Sequence, residues 1–401
     1  MKQQRLESRA GGFIAIVILG MMASLVPLST DMYLPGFKSI AEDFSTTTSA
    51  IQVTLSASFV GIGIGMPIWG PISDRFGRRT PAAIGILLYL VGAILCANAA
   101  DLSQLVAARF VLALGGAGVM VIGRAIVRDM FVGERMARTL GAVSSVLLVS
   151  SIISPSIGAI ILQFTDWRWL FMALVILGLA AVAGTLSLPE SLPPEKRIRK
   201  GLGGTFRQYA EILKDKTFQF SVLQQAFNSA ILMSYVACSP SVFMGEFGLS
   251  EQTFGAIFGM NALSMLTATQ IHRRLLKTRK IPYLLSRLLV FQFVAGMALL
   301  AVGLAIHVWW VVIVLTMLSV CVLPSITAGS TTLAMTNFSH AAAQASSVIG
   351  LVQSIAAASI SAGLVLLPIE PLPRMLAGMS GAAVLALVTL WLRSRQLHRQ
   401  A

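Results

Sequence analysis

The chain has 401 residues, of which 56% are hydrophobic and only 11% charged, with a mean hydropathy of +0.81 and a net charge of +14. A soluble domain carries roughly a quarter charged residues and under half apolar ones, so this apolar excess is more than a buried core needs, and a soluble enzyme or a disordered chain is excluded. The three cysteines, Cys96, Cys238 and Cys321, each lie in an apolar run without disulfide or zinc-ligand spacing, and the aliphatic content points the positive charge to a lipid bilayer, not to nucleic acid.

A bilayer core of about 30 Å takes about 20 apolar residues per helix. On that measure the chain contains twelve spans, at 13–35, 49–72, 81–99, 102–127, 139–163 and 167–188, then 218–243, 252–271, 286–306, 308–330, 342–366 and 374–392. The first is longer than the roughly 7–15 apolar residues of a signal peptide and runs into Pro27, Asp31 and Pro35, so it is expected to remain as a helix. Short alternating strands are absent, which excludes a β-barrel. The expected fold is therefore all-α and integral to the membrane. A first six-helix bundle takes residues 1–188. A Pro-, Gly- and basic-rich cytoplasmic linker follows at 189–217, with a short surface helix near Tyr209, and a second six-helix bundle takes 218–401. Two six-helix halves around a basic linker are the hydropathy pattern of a parallel-repeat secondary transporter.

Orientation follows from the Lys and Arg residues in the loops. All but five of the 30 fall on one face: the N-terminus (Lys2, Arg5, Arg9), the loops at 73–80 and 128–138, the linker, the segment from Arg273 to Arg287, and the C-terminus. The exceptions are Lys38, Arg168 and Arg374 on the other face, and Arg109 and Arg124 inside the fourth span. The crowded face is cytoplasmic, and both termini lie on it.

A charge inside a span costs at least about 2.5–3.5 kcal/mol, so each is a functional candidate. Asp31 is the one carboxylate within the twelve spans, ~27 Å along its helix from Phe13 at the usual rise per residue. Arg109 lies ~10 Å in from the outer start of the fourth span. The two depths match within one or two turns, and the residues could pair if helices one and four are neighbours. Asp31 either caps the interface beside Pro27 and Pro35 or faces a water-filled cavity. A lone Asp beside an Arg in such a cavity is suited to act as a proton switch. Arg124, nearer the cytoplasm, is either a gate charge with Arg128 and Asp129 or a snorkelling side chain. Tyr33, Gln225, Asn228, Tyr235, Asn261 and Gln353 are candidates to line a cavity. Each second-half member of that set could equally be a hydrogen bond between helices.

The loop after the second span reads Gly70-Pro71-Ile72-Ser73-Asp74-Arg75-Phe76-Gly77-Arg78-Arg79. It resembles motif A of the major facilitator superfamily, G-x-x-x-D-R-x-G-R-R/K, at every defined position and in the expected loop. The resemblance implies that Asp74 and Arg75 act in a cytoplasmic gate, with Gly70, Gly77, Arg78 and Arg79 shaping and holding the turn. Arg109-Phe110-Val111-Leu112-Ala113-Leu114-Gly115 is similar to that family's R-F-x-Q-G-x-G, without its Gln and first Gly. Ser154-Pro155-Ser156-Ile157-Gly158-Ala159 is similar to the antiporter motif G-P-x-x-G-G, keeping Pro155 and Gly158. Ser29-Thr30-Asp31-Met32-Tyr33-Leu34-Pro35 looks like the T/S-D-M-Y-L-P signature of the Bcr/CflA subfamily, which includes bicyclomycin- and chloramphenicol-resistance proteins. The corresponding second-half loop, Gln270 to Leu275, lacks the acid of motif A.

The resemblance implies a drug:proton antiporter in a bacterial inner membrane, with Asp31 as its proton or substrate carboxylate and Arg109 beside it. The expected function is proton-coupled efflux of small amphipathic compounds by alternating access. The alternative is an exporter or proton symporter of an endogenous metabolite. No cofactor or metal is expected beyond the proton gradient, and the partners are substrate, protons and lipid, for a monomeric chain. A membrane enzyme lacks clustered nucleophiles or metal ligands, since all four His sit at span ends.

Overall fold

A computed structural model describes residues 9–131, 133–197, 211–336, 338 and 342–400. Lys2, Arg5, Arg199, Lys200, Arg207 and the expected surface helix near Tyr209 lie outside the described residues. Among the described residues the chain forms twelve long helices. The first six are α1 (Arg9–Asp31), α2 (Val53–Phe76), α3 (Arg79–Ala97), α4 (Leu102–Met130), α5 (Gly133–Phe164) and α6 (Arg168–Ser187). The second six are α7 (Lys216–Pro240), α8 (Glu251–Leu275), α9 (Ile281–Ala305), α10 in two pieces (Trp309–Val320 and Leu323–Met335), α11 (Ala342–Val365) and α12 (Pro371–Gln400).

Several helix starts follow from their caps. Asp101, Asp215 and Ser250 accept the first free backbone N–H groups of α4, α7 and α8 through their side chains. The expected first span, 13–35, is interrupted. The helix stops at Asp31, and a 3₁₀ turn (Leu34–Gly36) and a short helix (Phe37–Asp43) follow. Pro35 supplies no N–H and disfavours helical geometry at Leu34, which accounts for the break. Span ten, expected as one helix, is cut at Cys321 and Val322, ahead of Pro324 at the start of its second piece. The end of α7 widens into a π-helical turn, Ser241–Glu246, directly after Pro240.

Ten of the described helices, short breaks bridged, are long and apolar enough to cross a membrane. The apolar part of α11 is shorter, Val348–Leu364. The polar run Asn261, Ser264, Thr267, Thr269 and Gln270 dilutes α8 below that apolarity.

The chain divides into two compact units, Met1–Thr46 with Ala57–Leu202, and Thr47–Ser56 with Gly203–Ala401. In the first, α1 packs on α4, α5 and α6, and α3 packs on α4 and α6. In the second, α7 packs on α10, α11 and α12, and α9 packs on α10 and α12. The same pairings, six helices apart, are what an internal repeat produces. The start of helix two belongs to the second unit: Gln52 donates to Ser241 Oγ at 3.1 Å, and Arg374 donates to Ser49 Oγ at 3.4 Å.

Candidate transport site and cytoplasmic cluster

The end of α1 builds the first site. Ser29 and Thr30 turn their hydroxyls back onto the Val26 carbonyl, at 2.7 and 3.1 Å. The last carbonyls of a helix lack intrahelical partners, and that of Ser29 accepts from Arg109 Nη1 at 2.5 Å. Arg109 is fully buried on α4, with its guanidinium 4.6 Å from the Tyr33 ring centre. Tyr33 in turn packs on Phe37 and Phe171, at 4.9 and 5.5 Å between ring centres. Arg109 Nε and Nη2 have no hydrogen-bond partner among the described residues.

Asp31 is partly buried and lies towards α5, beside Ser151. Helices α1 and α4 are indeed neighbours, yet the suggested Asp31–Arg109 ion pair is not formed. Arg109 takes the free carbonyl at the helix end, and Asp31 turns to the opposite neighbour.

The antiporter-motif residues lie at that same crossing. Pro155 is inside α5. A Cβ on Gly158 would run into the Met32 carbonyl oxygen, one residue past Asp31. Backbone oxygen cannot rotate away as a side chain can, so Gly158→Ala is expected to cost at least the 1–3 kcal/mol typical of overpacking. Gly141→Ala on the same helix meets nothing within 4 Å and is expected to be neutral or slightly stabilising. Melting of the two purified variants, side by side, checks this; equal melting temperatures would contradict it.

Motif A builds a second cluster. Gly77 has φ +95°, a conformation that favours glycine, and a Cβ there would sit 2.6 Å from Glu190 Oε2. The turn throws Arg78 inward. Its Nη1 donates to Asp74 Oδ1 at 2.5 Å and Ser73 Oγ at 2.8 Å, and its Nε donates to Asp129 Oδ2 at 2.7 Å. Burial works against this charge, but hydrogen bonds to Asp129 and Asp74 outweigh it and raise the guanidinium above its ordinary range.

The backbone N–H groups of Arg78 and Arg79, at the start of α3, donate to the two oxygens of Glu190, at 2.8 and 3.2 Å. A carboxylate at a helix N-terminus is favoured by the helix dipole. Burial opposes the Glu190 charge, yet the N–H groups of Arg78, Leu192 and Arg79, with Arg197 nearby, hold its carboxyl below the usual range. Glu190 lies in the linker and has no part in motif A. Its position just past α6, in a net basic segment, was the only sequence signal for it. Arg79 also donates to the Leu186 carbonyl. Gly70 has room for a Cβ, with Val121 4.0 Å away. Arg75 is exposed over the Phe76 ring, and Arg124 is exposed on α4 one turn before Arg128.

The second-unit candidates form two groups. Gln225 Oε1 accepts from Gln353 Nε2 at 2.8 Å and Thr331 Oγ1 at 3.2 Å. Asn228 spends its amide N–H groups on the Leu323 carbonyl and Thr327 Oγ1 at 2.9 and 2.7 Å, which ties α7 to α10. Gln292 of α9 donates to Asn228 Oδ1 at 3.4 Å. Further along α7, Asn261 of α8 donates to the Tyr235 hydroxyl at 2.8 Å.

Two similarly packed helical units with a carboxylate at the end of a broken first span define, by class, a polytopic membrane transporter. The family model described as Major Facilitator Superfamily matches residues 19–362, and the chain belongs to that family. It is 33% identical over 359 residues to the Bacillus subtilis protein named uncharacterized MFS-type transporter YdgK, covering 86% of each chain. To the bicyclomycin resistance protein homolog of Haemophilus influenzae it is 27% identical, covering 96% of this chain and 97% of that one. To a chloramphenicol resistance protein of Pseudomonas aeruginosa it is 28% identical, over 72% and 68% respectively. These relatives agree with the Bcr/CflA resemblance of the first-half motifs. The fold is that of the D-xylose-proton symporter crystal structure, with a TM-score of 0.74 at 14% identity, covering 94% of this chain and 97% of that one. The protein is thus a multi-pass membrane transporter of small molecules, in a family that includes drug-resistance proteins, and not an enzyme.

Proposed function

We propose that the protein is a proton-coupled efflux transporter that exports small amphipathic compounds, antibiotics among them, across a bacterial inner membrane by alternating access. The observation that carries this reading is the arrangement around Asp31: an acid at the end of α1 beside the neutral Ser151, while the buried Arg109 on the neighbouring helix keeps two guanidinium nitrogens, Nε and Nη2, unpaired. A carboxyl group and a guanidinium cation that share one helix end without pairing can exchange between a protonated, separate state and an ionised, paired one.

In the cycle, Asp31 takes a proton from the outside and substrate leaves. It gives the proton up on the inside, where the ionised carboxylate engages Arg109 and substrate loads. The halves 1–188 and 218–401 are the moving bodies, joined by the linker 189–217, and the motif A cluster is the cytoplasmic gate. The chain works as a monomer with both termini in the cytoplasm. Relatives named for bicyclomycin and chloramphenicol resistance support the drug class.

The direction of flux tests the coupling. In proteoliposomes made acid inside, protons run outward, so an antiporter accumulates chloramphenicol inside. Accumulation in alkaline-inside vesicles instead would identify a symporter and overturn the reading.

A further inference from the structure

The first unit neutralises its cytoplasmic turn from within the chain. Arg78 is held by Asp74 and Asp129, and Glu190 receives the first N–H groups of α3. Six helices on, α8 and α9 repeat that helix–turn–helix. The stretch that joins them carries Arg273, Arg274, Lys277, Arg279, Lys280 and Arg287, all exposed. The sequence has no Asp or Glu between Glu251 and Glu370, and among the described residues no ion pair joins any of these cations to a carboxylate. The acids of the same face, Glu211 and Asp215, precede α7, where Asp215 accepts from the Phe218 N–H. Lys280 stands in the capping position of α9 without a side-chain hydrogen bond, and the first turn holds no acid. A helix start is the positive end of the dipole, so cations there add to its field and do not offset it.

Two of the cations converge on one side chain. The Arg279 and Arg287 guanidiniums lie 5.6 and 5.4 Å from the centre of the Tyr283 ring. That ring is 46% exposed, and Leu275 and Leu276 of the turn are 44% and 38% exposed. Like charges gathered on one ring repel, and an anion that reaches both relieves the repulsion. A phosphodiester offers guanidinium groups paired acceptor oxygens. A soluble anion would leave the leucines and the ring in water, whereas a phospholipid brings acyl chains to them at the depth where the helices leave the bilayer.

We propose that the α8–α9 turn binds an anionic phospholipid of the cytoplasmic leaflet. Its phosphate is received by Arg279 and Arg287, and its acyl chains meet Leu275 and Leu276. The lipid supplies from outside the negative charge that Asp74, Asp129 and Glu190 supply in the first unit, so the state of this turn depends on membrane composition.

Native mass spectrometry of the purified full-length chain in detergent, with phosphatidylglycerol and phosphatidylcholine added in equal amounts, tests this. Both lipids carry a phosphodiester, and only the first has a net charge. The readout involves no transport, so it is independent of proton coupling and of the direction of flux. Wild-type protein is expected to retain phosphatidylglycerol in preference to phosphatidylcholine. Arg279→Gln with Arg287→Gln is expected to weaken phosphatidylglycerol binding about 10-fold and to leave phosphatidylcholine binding and, since both side chains are exposed, the melting temperature unchanged. Lys214→Gln with Lys216→Gln removes the same charge from exposed positions before α7 and is expected to bind both lipids as the wild type does. The proposal is overturned by a wild type without preference for phosphatidylglycerol, by unchanged binding in the arginine variant, or by an equal loss in the lysine variant, which would reduce the effect to net charge. Displacement of the lipid by millimolar inorganic phosphate would also overturn it, by making the ligand a free anion.

Discussion

Asp31→Asn is expected to reduce gradient-driven accumulation of substrate in proteoliposomes to the background of empty vesicles. Asparagine has the shape of aspartate and fits the same place beside Ser151, so the end of α1 keeps its packing. What it loses is the ability to hold and release a proton. The sequence places no second acid within the twelve spans, so no other group can take over that step. Stability is expected to change by no more than about 0.5 kcal/mol, as for substitutions that break no packing or buried pair. Counterflow, in which labelled substrate exchanges for unlabelled without net proton movement, is expected to persist. That split separates a coupling residue from one that merely supports the fold. Full accumulation in the variant would remove Asp31 from the mechanism.

Arg78→Leu is the second large effect. The guanidinium is the hub of the cytoplasmic cluster, and its loss leaves Asp74 and Asp129 without the cation between them. Breaking a buried ion pair from one side costs about 3–5 kcal/mol. Here the carboxylates are 37% and 20% exposed, and solvent screens them, so about half of that cost is expected. Transport is expected to fall at least 10-fold, because the turn that carries Asp74 and Arg75 is held through Arg78. Arg78→Lys keeps the charge but cannot span Asp74, Ser73 and Asp129 together, so it should fall between the two. Melting in detergent and uptake into vesicles measure both effects. Wild-type transport by the leucine variant would show that the cluster is a solvated turn with no part in gating.

The helices were legible because a bilayer imposes a length and an apolarity that composition cannot hide. The positions of motif A were legible because a glycine turn and inward-facing charges need particular residue types. Three things were not. The break after Asp31 hung on Pro35, which reads equally well as an interfacial proline at the end of a continuous span. The partner of Arg109 is the backbone carbonyl of Ser29, and a backbone group leaves no residue-type signal, so the sequence pointed instead to the nearest acid. Glu190 caps α3 from more than a hundred residues away, through contacts that only the packing of α6 beside α3 creates. In the second unit the polar residues were visible but their uses were not. Asn228 is consumed in tying helices together, whereas Gln225 and Asn261, chemically alike, each keep one atom unpaired.

The central claim is that a proton and the substrate exchange at Asp31. Adding substrate to purified protein in weakly buffered detergent solution and following pH tests it most directly. Wild-type protein is expected to release protons on binding, and Asp31→Asn to bind substrate with no release. Undiminished release from the variant, or none from the wild type, would contradict the account.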